Sequence, residues 1–192
     1  MFNEKSKAVD SAVAQVISGR DSTETVKAGG VFEVKCFDAE GNLKWEAKEH
    51  NLVVNQGLQD MNAKYFTGSA YTATWFLGLY GSGATNNPVA GDTAASRSFT
   101  EVTAYTQSVR PTCTFGTPTT NDPSQATNSA SPAIFTINAT TVVGGAFLIS
   151  NSTKGGTTGI LFSAADFAAP GDRSVVSGDT ITVTYTFNLD AL

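Results

Sequence analysis

The sequence predicts a mainly β fold: an antiparallel β-sandwich, jelly-roll-like, with one short internal helix and an N-terminal helical arm. Three observations predict it. Charged residues make up only 15% of the 192 residues, against about 25% in an ordinary globular domain. Thr, Ser, Gly, Asn and Ala fill the difference, a mixture that suits short strands with polar, uncharged outer faces. The segment Thr180 to Leu189 alternates strictly, with Ile181, Val183, Tyr185, Phe187 and Leu189 on one face and Thr or Asn on the other. That is the period of a half-buried strand. Charge is also unevenly spread: the first 50 residues hold 7 basic and 9 acidic side chains, and the remaining 142 hold only 13. The division sets an N-terminal segment, 1–30, apart from a β body, 31–192. A chain of this length buries about 70% of its unfolded surface, so the core needs no disulfide or metal.

Residues 4–18 read as a helix. Val9, Val13, Val16 and Ile17 fall on one face with Ala8 and Ala12 beside them, and Gly19 is the stop. So short and weakly amphipathic a helix is marginal alone. It must dock, either on its own body or on a neighbouring subunit, and those four residues are the candidate partner-binding set. Residues 19–30 read as a linker. Val31–Phe37 and Leu43–Lys48, joined by a turn at Asp38–Asn42, read as a hairpin. A helix follows near 55–66, with Asn55 as its candidate cap and Leu58, Met61 and Tyr65 as its core stripe. Thr74–Tyr80 reads as a buried strand and Gly81–Ser96 as a long loop. Further strands are expected near Val109–Phe115, Ala133–Asn138, Gly145–Ser150 and Gly159–Ser163. Gly116–Ser131 has almost no apolar residue and reads as a long surface loop. Gly178-Asp179 turns the chain into the last strand. Neither a Gly-X-Y period nor sustained heptads occur, so the chain builds no fibrous shaft.

Little points to catalysis, and the expectation is a protein without enzymatic chemistry. His50 is the single histidine and sits beside Glu49 at a strand end. No Gly-X-Ser-X-Gly motif surrounds a serine, and neither a Walker A loop nor a GxGxxG fingerprint occurs. Cys36 and Cys113 are far apart in apparent strands and read as buried free thiols, not as a disulfide framework or zinc site. Asp166, Asp172 and Asp179 stand in turn contexts, and their spacing matches no EF-hand. No cofactor and no metal are expected. Tyr71, Trp75, Tyr80 and Tyr105 are the candidates for a sugar-stacking surface, although Trp75 lies in an apolar strand and reads better as core. The net charge is −5 and the 12 basic residues are scattered. Nucleic acid and anionic membrane are therefore not expected partners. The N-terminus carries acids and no continuous apolar core, unlike a signal peptide. Val142–Ile149 is far short of a membrane span. Depletion of charge does suit a surface that packs against other proteins.

The order of certain segments adds a resemblance. Asn51-Leu-Val-Val-Asn55-Gln-Gly57-Leu58 precedes the helix, and Trp75-Phe-Leu-Gly-Leu79 follows it. Later come Gly144-Gly-Ala-Phe-Leu-Ile149, Gly159-Ile-Leu-Phe-Ser163 and Gly178-Asp-Thr-Ile-Thr-Val-Thr-Tyr185. This series, over residues 31–192, resembles short virion structural proteins of tailed bacteriophages, of the head decoration, cement or tail-fibre-like kind. None of the segments is a catalytic motif. The resemblance implies a β-sandwich that acts through subunit contacts and is assembled into a virion in the host cytoplasm. Its implied partners are the major capsid protein or other virion subunits, including copies of itself. The lack of a shaft favours a capsid decoration or cement protein. The alternatives are a tail or collar fibre module that contacts the host receptor, and a small lectin-like or hydrolase domain.

Overall fold

The computed structural model describes residues 26–71, 74–81, 87–168 and 170–191. The predicted arm, with Val9, Val13, Val16 and Ile17, lies outside them. The chain runs through β1 (Val26–Phe37), β2 (Leu43–His50), β3 (Leu52–Val53), α1 (Asn55–Phe66), β4 (Trp75–Tyr80), β5 (Glu101–Val102) and β6 (Thr112–Cys113). It continues through β7 (Ser124–Thr127), β8 (Ala133–Thr136), β9 (Thr141–Val143), β10 (Gly145–Ile149), β11 (Leu161–Asp166), β12 (Arg173–Val175) and β13 (Thr180–Ala191). All strand pairs are antiparallel. Among the described residues the mainly β prediction with one internal helix therefore holds.

The first sheet is built on β13, the strand with the strict alternation. β1 pairs with it from Val26↔Ala191 to Phe37↔Thr180. β1 thus begins at Val26, not at the predicted Val31. Val26 to Gly30 lack an apolar alternation, but β13 is long enough to hold them by backbone bonds alone. β2 returns beside β1 through the predicted turn. There Asp38 Oδ1 accepts from the backbone N–H of Glu40 and Asn42, at 3.1 and 2.7 Å, and Gly41 takes the left-handed conformation (φ +86°) that favours glycine. On its other edge β13 pairs first with β8 and then with β7. β7 lies inside the stretch predicted as a surface loop. Its Ser-Gln-Ala-Thr sequence carries no apolar signal, because an edge strand is recruited by backbone hydrogen bonds.

The second sheet has the order β3-β11-β10-β4-β5, with β6 also on β4. The predicted strand over Val109–Phe115 shrinks to β6. β9 and β12 form a separate ribbon. One core cluster draws on both large sheets: Phe32, Val34, Ile181, Val183 and Tyr185 from the first, Leu77, Leu79, Ala146, Leu148 and Ala165 from the second. The other face of the second sheet holds a smaller cluster of Tyr80, Phe99, Phe147, Ile149, Leu161 and Ala164. β10 is therefore buried on both faces, which explains its unbroken apolar run. Two glycines make room for the rings across the ladder: Gly78 faces Phe147, and Gly145 faces Tyr80. A Cβ at either would collide with the opposite ring.

Candidate functional site

The helix α1 decides where the surface is unusual. Its N-cap is Val54, with no side-chain cap; Asn55, the predicted cap, is the first helical residue. The Asn55 N–H instead donates to Ala90 O, at 2.9 Å. Gln56 Oε1 accepts from the N–H of Ala94 and Leu161, at 3.0 and 2.8 Å, and so ties the helix start to the 87–99 segment and to β11. The face turned to the body carries Gly57, Met61 and Lys64. Gly57 is the residue buried on it, and a Cβ there would collide with the Phe162 carbonyl. This close approach fixes the rotation of the helix. The predicted core stripe of Leu58, Met61 and Tyr65 is therefore only partly correct. Met61 packs on the core, but Leu58 is 41% exposed and Tyr65 84%.

The consequence is an apolar groove between α1 and the β1–β13 ribbon. One wall is Leu58, Met61 and Tyr65 of α1; the other is Val26, Ala28 and Leu189 of the β1–β13 ribbon. Its volume is about 620 Å³. At Met61, Lys64 and Tyr71 it meets an inner cleft of about 400 Å³, lined by Trp75, Phe115, Phe162 and Phe187. Lys64 sits at the junction, 3.5 Å from Asp60 Oδ1, and donates to Ala70 O. An apolar groove with a few charged groups at its edge is suited to taking up apolar side chains.

The other candidates do not assemble into a site. His50 is exposed at the end of β2, opposite Val31. Cys36 and Cys113 are buried free thiols. Burial pushes Cys36 up to about 11, with Asp179 adding to the effect, and pushes Cys113 up to about 12. Both are protonated at neutral pH and poor nucleophiles. Of the four proposed stacking residues, Tyr80 and Tyr105 are fully buried and Trp75 is half-buried against Phe162; Tyr71 is 77% exposed. Asp179 makes its turn bond to Val176 N–H at 2.9 Å but is also buried and paired with Lys44 at 2.6 Å. Asp166 accepts from the Tyr80 hydroxyl at 3.0 Å. Among the described residues no group of three or more His, Cys, Asp or Glu stands close enough to hold a metal ion. None of their helices is long and apolar enough to cross a membrane.

Comparison with protein-family models, with curated proteins and with solved structures finds no match for this chain. The groove must be interpreted from its own chemistry.

One polar cluster escaped the sequence reading. The Arg110 guanidinium is fully buried and donates to both Glu101 carboxylate oxygens, at 2.8 and 2.6 Å. It also donates to Asn151 O and Gly156 O, at 2.7 and 2.8 Å. Arg97 lies 3.5 Å from the same carboxylate. The cluster staples β5 to the 151–156 loop. Its signal in sequence was a lone arginine within the strand expected over Val109–Phe115, which has no meaning until its partner is known.

Proposed function

We propose that this chain is a structural protein of a tailed-phage virion, a capsid decoration or cement protein whose two sheets form a jelly-roll-like β-sandwich. The observation that carries the reading is the exposed apolar groove beside α1, at the root of a segment with its own apolar stripe. Exposed contiguous apolar surface marks interaction sites. The low charge of the body and the order of its segments support the same reading. On this view groove and arm form exchangeable contacts between copies and with the major capsid protein, and burial of apolar surface at subunit junctions holds the shell together.

The test is co-sedimentation with capsids. The body begins with β1 at Val26, so the informative truncation removes residues 1–25. It should keep the native circular dichroism of the body and lose capsid binding by about tenfold or more. Unchanged capsid occupancy would remove the arm from the mechanism.

A second reading, a tail or collar module for a host receptor, is favoured by one observation: exposed Tyr71 stands at the mouth of the Trp75-lined cleft. It requires binding to host envelope glycans that is lost in Tyr71→Ala.

A further inference from the structure

We propose that the cleft beside Arg97 is a binding site for a small oxyanion, of which inorganic phosphate is the simplest example, and that the Arg97 guanidinium is the group that recognises it. The inference does not depend on the virion reading.

It starts from a buried cation that the fold does not fully satisfy. The Arg97 side chain is only 8% exposed, and its Nη1 is buried with no hydrogen-bond partner among the described residues. The ion-pair contact it does make, to Glu101 Oε2 at 3.5 Å, lies at the limit of hydrogen-bonding distance and lacks the geometry for one. That carboxylate is already committed. Arg110 donates to both of its oxygens, and the Gly155 N–H adds a further bond at 3.1 Å. Asp92, a second carboxylate whose charge acts on Arg97, accepts instead from the Val89 and Ser98 N–H groups and from the Ser98 hydroxyl. Arg97 otherwise rests over Phe99 and Phe147, 5.8 and 5.6 Å from the ring centroids. Desolvation by burial lowers its pKa from the ordinary arginine value, against the opposing pull of Glu101. Burying a cation without a fully hydrogen-bonded partner is costly, and a bound anion relieves that cost. A cleft of about 360 Å³ opens at this point, lined by Arg97, Glu101, Thr100, Gly155 and Thr157. Thr100 and Thr157 are exposed and bring hydroxyl donors to its rim. Guanidinium N–H groups and hydroxyls together suit an oxyanion, whose several oxygens accept from both. Because most of the guanidinium is covered, the ligand must be small. It reaches Nη1 after a slight turn of the side chain over the two rings, where no hydrogen bond from Nη1 holds it in place.

The experiment uses the full chain, freed of phosphate and sulfate and kept in chloride buffer at constant ionic strength. Melting temperature is followed as inorganic phosphate replaces chloride, and calorimetric titration gives the dissociation constant. Phosphate at about tenfold over that constant should raise Tm by about 3–5 °C. A parallel arm with acetate separates a planar carboxylate from a tetrahedral ion. A response to either supports the oxyanion site, and a response to neither beyond the chloride control overturns it. Arg97→Met keeps apolar bulk over the two rings and removes the charge. It should melt within about 2 °C of the parent chain, or above it, in chloride, and should lose phosphate affinity by about tenfold or more. An undiminished phosphate response in Arg97→Met would mean an adventitious ion only. A variant that folds poorly, or melts many degrees lower in chloride, would show that the charge is already satisfied in the free chain, and this too would overturn the proposal. No capsid enters either measurement, so this inference and the virion reading fail separately.

Discussion

Asn128 stands where β13 changes partner. β8 covers Thr180 to Val183 and β7 covers Thr186 to Leu189, which leaves no strand partner between them; the backbone N–H of Asn128 donates to Tyr185 O there at 3.3 Å. The fully buried Asn128 side chain fills the gap. Its Nδ2 donates to Val183 O at 3.2 Å, and its Oδ1 accepts from Tyr185 N–H at 2.7 Å. A side-chain amide thus replaces one rung of the ladder. Each backbone group left buried and unpaired costs about 1–3 kcal/mol, so Asn128→Ala should destabilise the fold by roughly 2–4 kcal/mol. Urea unfolding should show a lower midpoint at unchanged slope. A midpoint equal to that of the parent chain would mean that water or a rearranged backbone takes over. Nothing in Thr127-Asn128-Ser129 announces this role. Asn in a polar stretch looks like turn chemistry, and its partners lie 55 and 57 residues away in sequence.

At the scale of the element, α1 separates two questions that periodicity joins. Its existence and its bounds were legible, because Leu58, Met61 and Tyr65 recur at helical spacing after the cap candidate Asn55. Its facing was not. Amphipathicity favours burial of Leu58 and Tyr65, whereas the fit of Gly57 against the Phe162 carbonyl turns them outward. Gly57→Ala tests which effect dominates. Alanine improves helix propensity by about 1 kcal/mol, but the added Cβ meets backbone that cannot rotate away, and such overpacking costs about 1–3 kcal/mol. A net loss of thermal stability is expected. A gain would show that α1 rides loosely on β11.

For the whole molecule, burial of titratable groups sets the response to pH. The thiols of Cys36 and Cys113 move from an ordinary 9.0 to about 11 and about 12, chiefly by desolvation. Lys44 is raised by its hydrogen bond to Asp179. Burial likewise raises the Tyr80 and Tyr185 phenols. Every one of these folded values lies above the unfolded one. The native state therefore holds its protons more tightly, and the stability they contribute is complete below the unfolded values. For the thiols it is lost as pH rises from 9.0 towards their folded values. Melting temperature should stay level near neutrality and fall above about pH 9. Cys113→Ala should reduce the alkaline slope, since each such group contributes at most about 1.4 kcal/mol per pH unit. An unaltered slope would assign alkaline unfolding to other groups.

What the sequence determined by itself is the local repertoire. The strict alternation of Thr180–Leu189, the hairpin around Gly41 and the helix near 55–66 follow from side-chain periodicity and turn chemistry, which neighbouring residues carry between them. The tertiary structure decided facing and partnership. It placed Ser124–Thr127 in a sheet, joined Arg110 to Glu101 in the interior, and turned Leu58 and Tyr65 out to wall an apolar groove. Those outcomes depend on backbone brought together from distant parts of the chain. Short-range pattern cannot encode them, because one glycine's fit against a strand or one amide's place in a ladder exists only once the sheets have formed.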